Sequence, residues 1–213
     1  MGHERESFVG YYRGFFIRPR RTAEALVGDA RGVRFGTFAL LITVILYTLV
    51  YVLLILGGGR PTFKPWLAIP TESYYRFNVF LRAPSMFIGW ILAAGVVQLL
   101  ARRFSSTGSF EDTLGVLGFG IGIPSWSTLL HYLVTSFLGA VHVINQREFE
   151  DALNAPTFWR ALLWFLMTLY AVWFVVAFAA GIGAAQRVRR GPAVILGAIG
   201  FVIYQGVLLN FIR

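Results

Sequence analysis

The chain has 213 residues, of which 57% are hydrophobic and only 14% are charged. Soluble domains typically carry about 25% charged residues. This composition, with a mean hydropathy of +0.66, excludes a soluble globular enzyme or a disordered chain and indicates an integral membrane protein. The net charge of +9 suits loops that contact anionic headgroups, and no soluble basic module points to nucleic acid. No cysteine is present, so disulfides and thiol chemistry are excluded.

Residues 1–34 precede the first apolar stretch and form a segment of their own. Its aromatic residues recur at helical spacing: Phe8, Tyr11, Tyr12, Phe15 and Phe16. An aromatic face beside a charged one is typical of an amphipathic helix in the membrane interface, and packing of these rings on the helical bundle is the alternative. Pro19 predicts the start of a second short helix, which Gly28 ends.

Residues 35–213 contain five apolar stretches, each about as long as the 20 residues that a helix needs to cross a bilayer. None shows the alternation of a membrane β-strand, so we expect an all-α integral membrane protein. Ser109 and Asp112 match a capping box at the start of the third span, and Pro124 predicts a kink within it. The predicted spans cover about residues 35–56, 83–101, 110–138, 158–185 and 192–212.

Lys and Arg are unevenly divided between the two sides of these spans. The side of the N-terminus carries twelve of them, and the opposite side carries seven. Because cytoplasmic segments hold the excess, we expect a cytoplasmic N-terminus and a C-terminus on the opposite side of the membrane.

One polar stripe stands out in the third span, where Pro124, Ser127, Thr128, His131 and Thr135 share a helix face. Other spans offer partners for it: Tyr47, Gln98, Tyr204 and Gln205. We interpret these nine residues as a candidate polar cavity for a lipid headgroup or a small solute. Interhelical hydrogen bonds, worth about 0.6 kcal/mol each, are the alternative. We also expect the His131 ring to be buried against the first or fifth span.

Patterns of catalytic or metal sites are missing from the sequence. No Asp, Glu or Lys falls inside a predicted span, which argues against an ion-coupled pump and an intramembrane enzyme. The acidic residues between 148 and 151 could hold a metal, but we interpret them as a solvated loop with a short surface helix around 147–153. The glycine repeat at 118–122 follows no strand and predicts a helix-packing face. We therefore expect no catalytic residue, metal or cofactor.

Four stretches together resemble the Yip (Ypt-interacting protein) domain family of polytopic membrane proteins. They are Phe16-Ile17-Arg18-Pro19-Arg20-Arg21-Thr22, Leu99-Leu100-Ala101-Arg102-Arg103, the segment from Gly108-Ser109-Phe110 to Gly118-Phe119, and the segment from Gln186-Arg187 to Pro192-Ala193-Val194. The resemblance implies a five-helix membrane domain with a cytoplasmic N-terminus. Eukaryotic relatives are linked to vesicle traffic and Rab-type GTPases.

The chain departs from those relatives in its cytosolic part. It lacks their long acidic or Pro-rich N-terminal extension and their acidic-Leu-Tyr and Tyr-Gly-Pro stretches. GTPase binding therefore does not follow from the resemblance. The chain is more similar to a prokaryotic member, and we expect it in the cell (inner) membrane.

These observations predict a non-catalytic protein that organises membranes or serves as a trafficking-type adapter. Its expected partner is the lipid bilayer, with a homo-oligomer through glycine-rich helix faces as a further prediction. The alternative is a small-solute or lipid transporter or channel that uses the polar stripe of the third span.

The charge distribution makes the topology testable. A reporter that is active only outside the cytoplasm, fused after Arg213, should be active in cells, because an odd number of spans separates it from the cytoplasmic N-terminus. Reporter assays in intact cells measure this directly. Activity of a cytoplasm-specific reporter at the same position would require four or six spans.

Overall fold

The computed structural model describes residues 6–61 and 70–212. Within these ranges the chain forms eight α-helices and no strand. The helices are α1 (Phe8–Ile17), α2 (Pro19–Leu26), α3 (Gly32–Leu56), α4 (Tyr74–Ala101), α5 (Phe110–Ala140), α6 (Gln146–Asn154), α7 (Phe158–Ala185) and α8 (Arg190–Ile212). Three residues counted for the orientation, Arg5, Lys64 and Arg213, lie outside the described residues.

Five of these helices, α3, α4, α5, α7 and α8, are long and apolar enough to cross a membrane. The all-α fold, with five such helices preceded by two short ones, is therefore confirmed. Helix α4 begins at Tyr74, well before the predicted second span at residue 83. The difference arises because Arg82 interrupts the apolar run in the sequence without interrupting the helix. Pro84 consequently lies inside α4 rather than in its first turn.

The chain forms two compact units. Unit 1 comprises Met1–Leu41, Trp90–Pro124 and Trp173–Ile203, and unit 2 comprises Ile42–Gly89, Ser125–Val172 and Tyr204–Arg213. Each of the five long helices contributes residues to both units.

In unit 1, helices α3 and α5 approach until their backbones touch. A Cβ atom on Gly36 would lie 2.9 Å from Cα of Gly115, and one on Gly118 would lie 2.7 Å from Cα of Gly36. Neither position has room for a side chain. This is the small-residue packing typical of membrane helices, and Gly118 belongs to the predicted glycine face.

Helix α1 packs on unit 1 through its aromatic face. Ser7 caps the helix by accepting a hydrogen bond from the Gly10 N–H. Tyr11 and Phe15 are buried, and the Phe15 ring stacks on Phe119 of α5 with centroids 4.7 Å apart. Packing on the bundle, the alternative in the sequence analysis, therefore describes this face.

A polar cluster ties α1 and α2 to the start of α3. Arg31 donates hydrogen bonds to both carboxylate oxygens of Asp29, at 3.1 and 2.9 Å. Tyr11 donates to Asp29 and to the Ala25 carbonyl, at 3.2 Å each. The Arg31 guanidinium lowers the pKa of Asp29 to about 2, and burial together with the Asp29 charge raises the pKa of Tyr11 to about 12.

Asp112, a member of the predicted cap of the third span, also contacts the turn before α3. The Ser109 hydroxyl accepts from the Asp112 N–H at 3.0 Å, as the capping motif requires. The Asp112 carboxylate also accepts from the Gly28 N–H at 3.2 Å. Gly28, at φ +85°, lies in the turn between α2 and α3. The Asp112 carboxylate therefore accepts from the Ser109 hydroxyl, which caps α5, and also holds this turn.

In unit 2, one apolar cluster is formed by Val50, Leu54 and Leu129, with leucine, tyrosine and tryptophan side chains around it. Helix α6 lies between α5 and α7 in the chain, and Asn145 caps it by accepting from the N–H groups of Arg147 and Glu148. The short helix predicted around residues 147–153 is present at this position.

Substitutions of two neighbouring phenylalanines of α1 test whether this helix packs on unit 1 through its buried face. Phe15 is fully buried against Phe119, whereas Phe16 is 39% exposed. Phe15→Ala should destabilise the docked state of α1 by about 3–5 kcal/mol, because it leaves a cavity, and should speed trypsin cleavage after Arg20 and Arg21. Phe16→Ala is the matched control and should change cleavage much less. Equal cleavage rates in both variants would contradict the packing described for Phe15.

Candidate functional site

The nine residues of the predicted polar cavity divide between the two units. Pro124 and Gln98 belong to unit 1, and the other seven belong to unit 2: Ser127, Thr128, His131, Thr135, Tyr47, Tyr204 and Gln205. Their polar groups therefore have to be considered in two sets.

In unit 1, Gln98 takes part in a buried hydrogen-bond network. Its amide donates to the Gly108 carbonyl at 3.0 Å, and its carbonyl oxygen accepts from Gln186 and Thr113. Gln186 is fully buried and also contacts Ser106. This network joins the loop before α5 to the end of α7. Gln98 therefore forms hydrogen bonds between helices, which was the alternative to a polar cavity.

In unit 2, four members of the predicted set form hydrogen bonds between helices or along one. The hydroxyls of Tyr47 and Thr128 lie 2.9 Å apart and link α3 to α5. The Gln205 amide donates to the Tyr170 hydroxyl at 2.7 Å and links α8 to α7. Thr135 donates back to the His131 carbonyl, one turn earlier in its own helix.

His131 lies elsewhere than expected. It is half-buried, and its ring packs near Tyr132 of the same helix and Phe149 of α6, with centroids 5.7 and 6.1 Å away. Its Nε2 atom is buried and has no hydrogen-bond partner. Within the part of the chain that the structure describes, His131 forms no hydrogen bond or ring contact with the first or fifth span.

Sequence analysis missed the most unusual polar residue of unit 2, Arg82. It lies inside α4 and is only 7% exposed. Residues 77–101 form one apolar segment once a single Arg and a single Asn are allowed within it. A search for spans that allows single polar residues within an apolar segment would have placed Arg82 inside the second span.

Tyrosines surround the Arg82 guanidinium. Its central carbon lies 4.0 Å from the centroid of the Tyr47 ring, which is cation–π geometry. Its charge also interacts electrostatically with Tyr51, Tyr170 and Tyr204. Four helices therefore contribute to this cluster, which we call the arginine–tyrosine cluster: Tyr47, Tyr51, Arg82, Tyr170 and Tyr204.

The charge of this cluster is not balanced by the residues that the structure describes. None of their carboxylates forms an ion pair with Arg82, and its Nε atom has no hydrogen-bond partner. A buried unpaired cation costs several kcal/mol, and aromatic rings offset only part of that cost. Asn78, one turn earlier on the same face of α4, is fully buried and leaves its Oδ1 atom without a partner.

A second charged group of unit 2 is buried on α6. The sequence analysis assigned Glu148, Glu150 and Asp151 to a solvated loop; Glu148 and Asp151 are exposed, but Glu150 is 6% exposed. Helical spacing turns Glu150 inward, on the face that it shares with Gln146.

Three donors hold the Glu150 carboxylate. It accepts from the Arg60 N–H at 2.6 Å, from the Gln146 amide at 3.2 Å and from the Tyr75 hydroxyl at 3.4 Å. Burial nevertheless raises the pKa of this carboxyl above its ordinary value. No group of three His, Asp or Glu side chains suitable for a metal occurs in the described part of the chain.

The surface of unit 1 carries a basic groove along α2 and the start of α8. It is an open depression of about 390 Å³. Its lining is Arg18, Pro19, Arg20, Arg21, Glu24 and Arg190. Glu24 pairs with Arg20 at 3.0 Å, so the groove keeps a positive excess. A neighbouring depression of about 210 Å³ shares Arg20 and Arg190 and has an apolar floor that includes Ala179, Ala193 and Val194.

Comparison with known proteins adds one match. The family model of the Yip1 domain matches residues 13–211 of this chain. No curated protein and no solved structure matches it.

The burial of Glu150 predicts a pH dependence of stability. Its pKa is higher in the folded than in the unfolded protein, so the folded state holds the proton more tightly. The wild type should therefore lose stability as pH rises from about 4.5 through the folded pKa. Glu150→Gln removes the ionisable group and should flatten this part of the curve, measured as melting temperature against pH in detergent.

Glu148 supplies the matched control, because it lies on the same helix and is exposed. Glu148→Gln should keep the wild-type dependence on pH. Parallel curves for the wild type and Glu150→Gln would contradict the assignment of the effect to Glu150.

Proposed function

The chain belongs to the Yip1 domain family, and from this membership we propose that it is a non-catalytic membrane protein that organises the bilayer or serves as a trafficking-type adapter. The multi-pass membrane character follows from the family and the five apolar helices. The proposed role in organising the bilayer or in trafficking rests on the N-terminal helices and on the basic groove of unit 1.

The observation that carries this proposal is the pairing of positive charge with exposed apolar groups on α1 and α2. Val9 and Ile17 of α1 are 70% and 61% exposed, although α1 is anchored by its opposite face. Arg18 and Arg21 are exposed, line the groove and form no ion pair within the described residues. Apolar groups that enter the headgroup layer, next to cations that bind anionic lipids, are how interfacial helices bind a leaflet.

We place the N-terminus in the cytoplasm of a prokaryotic cell, at the inner membrane. The charge excess of that side supports this orientation. Anionic lipids then face α2 and the turn before α8, where the arginines of the groove lie. GTPase binding is not part of the proposal, because the stretches that carry it in eukaryotic relatives have no match in the sequence.

We propose a homo-oligomer only through glycines that the fold leaves free. Gly36, Gly115 and Gly118 are occupied by packing inside one chain. Gly95 of unit 1 and Gly206 of unit 2 have open space around them, so a second copy could approach their backbones.

The second candidate function is a small-solute or lipid transporter or channel. The polar residues of unit 2 favour it, since Tyr47, Thr128, Tyr204 and Gln205 of the predicted cavity lie there together with buried Arg82. A charged residue inside a spanning helix is typical of substrate or ion pathways.

Vesicles test the first proposal. Wild-type protein, reconstituted into phosphatidylcholine vesicles with or without phosphatidylglycerol, should shift the vesicle size distribution only where the anionic lipid is present, as seen by cryo-electron microscopy. Arg18→Gln combined with Arg21→Gln should reduce the shift, because two groove cations are lost. Added salt should reduce it as well.

Arg102→Gln combined with Arg103→Gln is the control, since it removes two exposed charges from another loop. This variant should retain most of the shift. An unchanged size distribution with the wild type would rule out membrane organisation by this route. Uptake of a solute by the same vesicles would instead favour the transporter.

A further inference from the structure

We propose that the arginine–tyrosine cluster of unit 2 is a binding site for a phosphate group, carried either by a lipid headgroup or by free phosphate. The inference does not depend on the membrane-organising role, which rests on residues of unit 1, and it shares Tyr47, Arg82 and Tyr204 with the second candidate function. It holds whether or not the bound group is moved across the membrane.

Arg82 has no counter-charge among the described residues. It is only 7% exposed, and none of the described acidic residues forms an ion pair with it. The buried carboxylate of unit 2, Glu150, is already bound by Arg60, Gln146 and Tyr75. Neutral hydroxyls and rings stabilise a cation without neutralising it, so the site is suited to an anion from outside the chain.

The cluster has a hydrogen-bond donor to offer a ligand. The guanidinium carbon of Arg82 lies 4.0 Å from the centroid of the Tyr47 ring. The Nε–H of the same guanidinium is buried and has no hydrogen-bond partner, so this donor is left for a ligand. Planar guanidinium edges bind the oxygens of phosphate with two parallel hydrogen bonds, which makes Arg the usual residue for this task.

Asn78 adds an acceptor to the same helix face. Its amide nitrogen donates to the Tyr74 carbonyl at 2.9 Å, while its Oδ1 atom is buried and unpartnered. An anion alone would not use an acceptor. A phosphate that keeps a proton, or a headgroup with a hydroxyl beside its phosphate, supplies both an anion for Arg82 and a donor for Asn78.

Arg82 lies close to one end of α4. This helix has 28 residues and is about 42 Å long, whereas the hydrocarbon core is about 30 Å thick. Arg82 is eight residues from the start of α4, or about 12 Å along its axis. A helix centred across the core would place Arg82 about 6 Å inside its boundary, a depth from which a long basic side chain reaches the lipid phosphates.

Ligand retention tests the proposal. Protein purified in dodecyl maltoside and stripped of lipid is offered either phosphatidylglycerol or sodium phosphate, and bound molecules are counted by native mass spectrometry alongside the melting temperature. The wild type should retain one phosphatidylglycerol, or gain thermal stability from sodium phosphate; which of the two occurs identifies the source of the phosphate. Arg82→Gln should lower the affinity for that probe about tenfold.

Arg76→Gln is the matched control, because Arg76 is an exposed cation on the same helix. It should behave as the wild type with both probes. If Arg82→Gln does not fold, Arg82→Lys takes its place: it keeps the charge, loses the Nε donor and should bind the probe more weakly. Equal responses of the wild type and the Arg82 variant, or no response of the wild type to either probe, would overturn the proposal.

Discussion

A polar side chain inside a bilayer finds no water, so its partners have to come from the protein or from lipid. Unit 1 meets this requirement entirely within the chain around Gln186, whose amide is buried among Gln98, Thr113 and Ser106. Unit 2 meets it in pairs, with Tyr47 against Thr128 and Gln205 against Tyr170. Among the described residues, Arg82, Asn78 and His131 each keep a buried polar atom for which these internal partners fall short. The same constraint therefore explains both the hydrogen-bonded helix contacts and a site around Arg82 that is suited to an external group.

Close backbone contact is the second condition for this arrangement. Glycines at 36, 115 and 118 let α3 and α5 touch, and this places Phe35 and Phe119 where α1 can reach both. The aromatic face of α1 then packs on protein, and its other side keeps Val9 and Ile17 exposed. A single short helix can thus be anchored to the bundle and still offer apolar groups to a leaflet. The two interpretations of the aromatic pattern are compatible once the two sides of the helix are considered separately.

The sequence was sufficient for the spans, because 20 or more apolar residues in a row have few alternatives to a membrane helix. It also predicted the cap at Ser109 and the short helix α6, since both depend on local patterns. It could not predict which polar residues meet. Helical spacing gives the face on which Gln98 or Tyr204 lies but not the partner helix, and the two residues belong to different units.

Arg82 was missed for a related reason. A search for uninterrupted apolar runs treats every charge as the end of a span, although tyrosines of other helices can surround such a charge. Glu150 shows the same effect on a short helix, because a cluster of acids suggests solvent while the fold turns one of them inward. In both cases the contacts that bury the charged side chain come from residues far away in the sequence, so no local sequence pattern predicts them.

The position of Arg82 in chain order has a consequence for biosynthesis. Membrane helices leave the translocon largely in sequence, and a charged residue within a span makes that step less favourable, by up to about 2.5–3.5 kcal/mol at the helix centre. The helix made just before α4 is α3, which carries Tyr47 and Tyr51. When Arg82 enters the bilayer, the ring that covers it is therefore already inserted. Insertion of α4 into the bilayer is thus assisted by α3. In a permuted chain in which α4 is synthesised first, the Arg82 guanidinium would enter the lipid without the Tyr47 ring beside it.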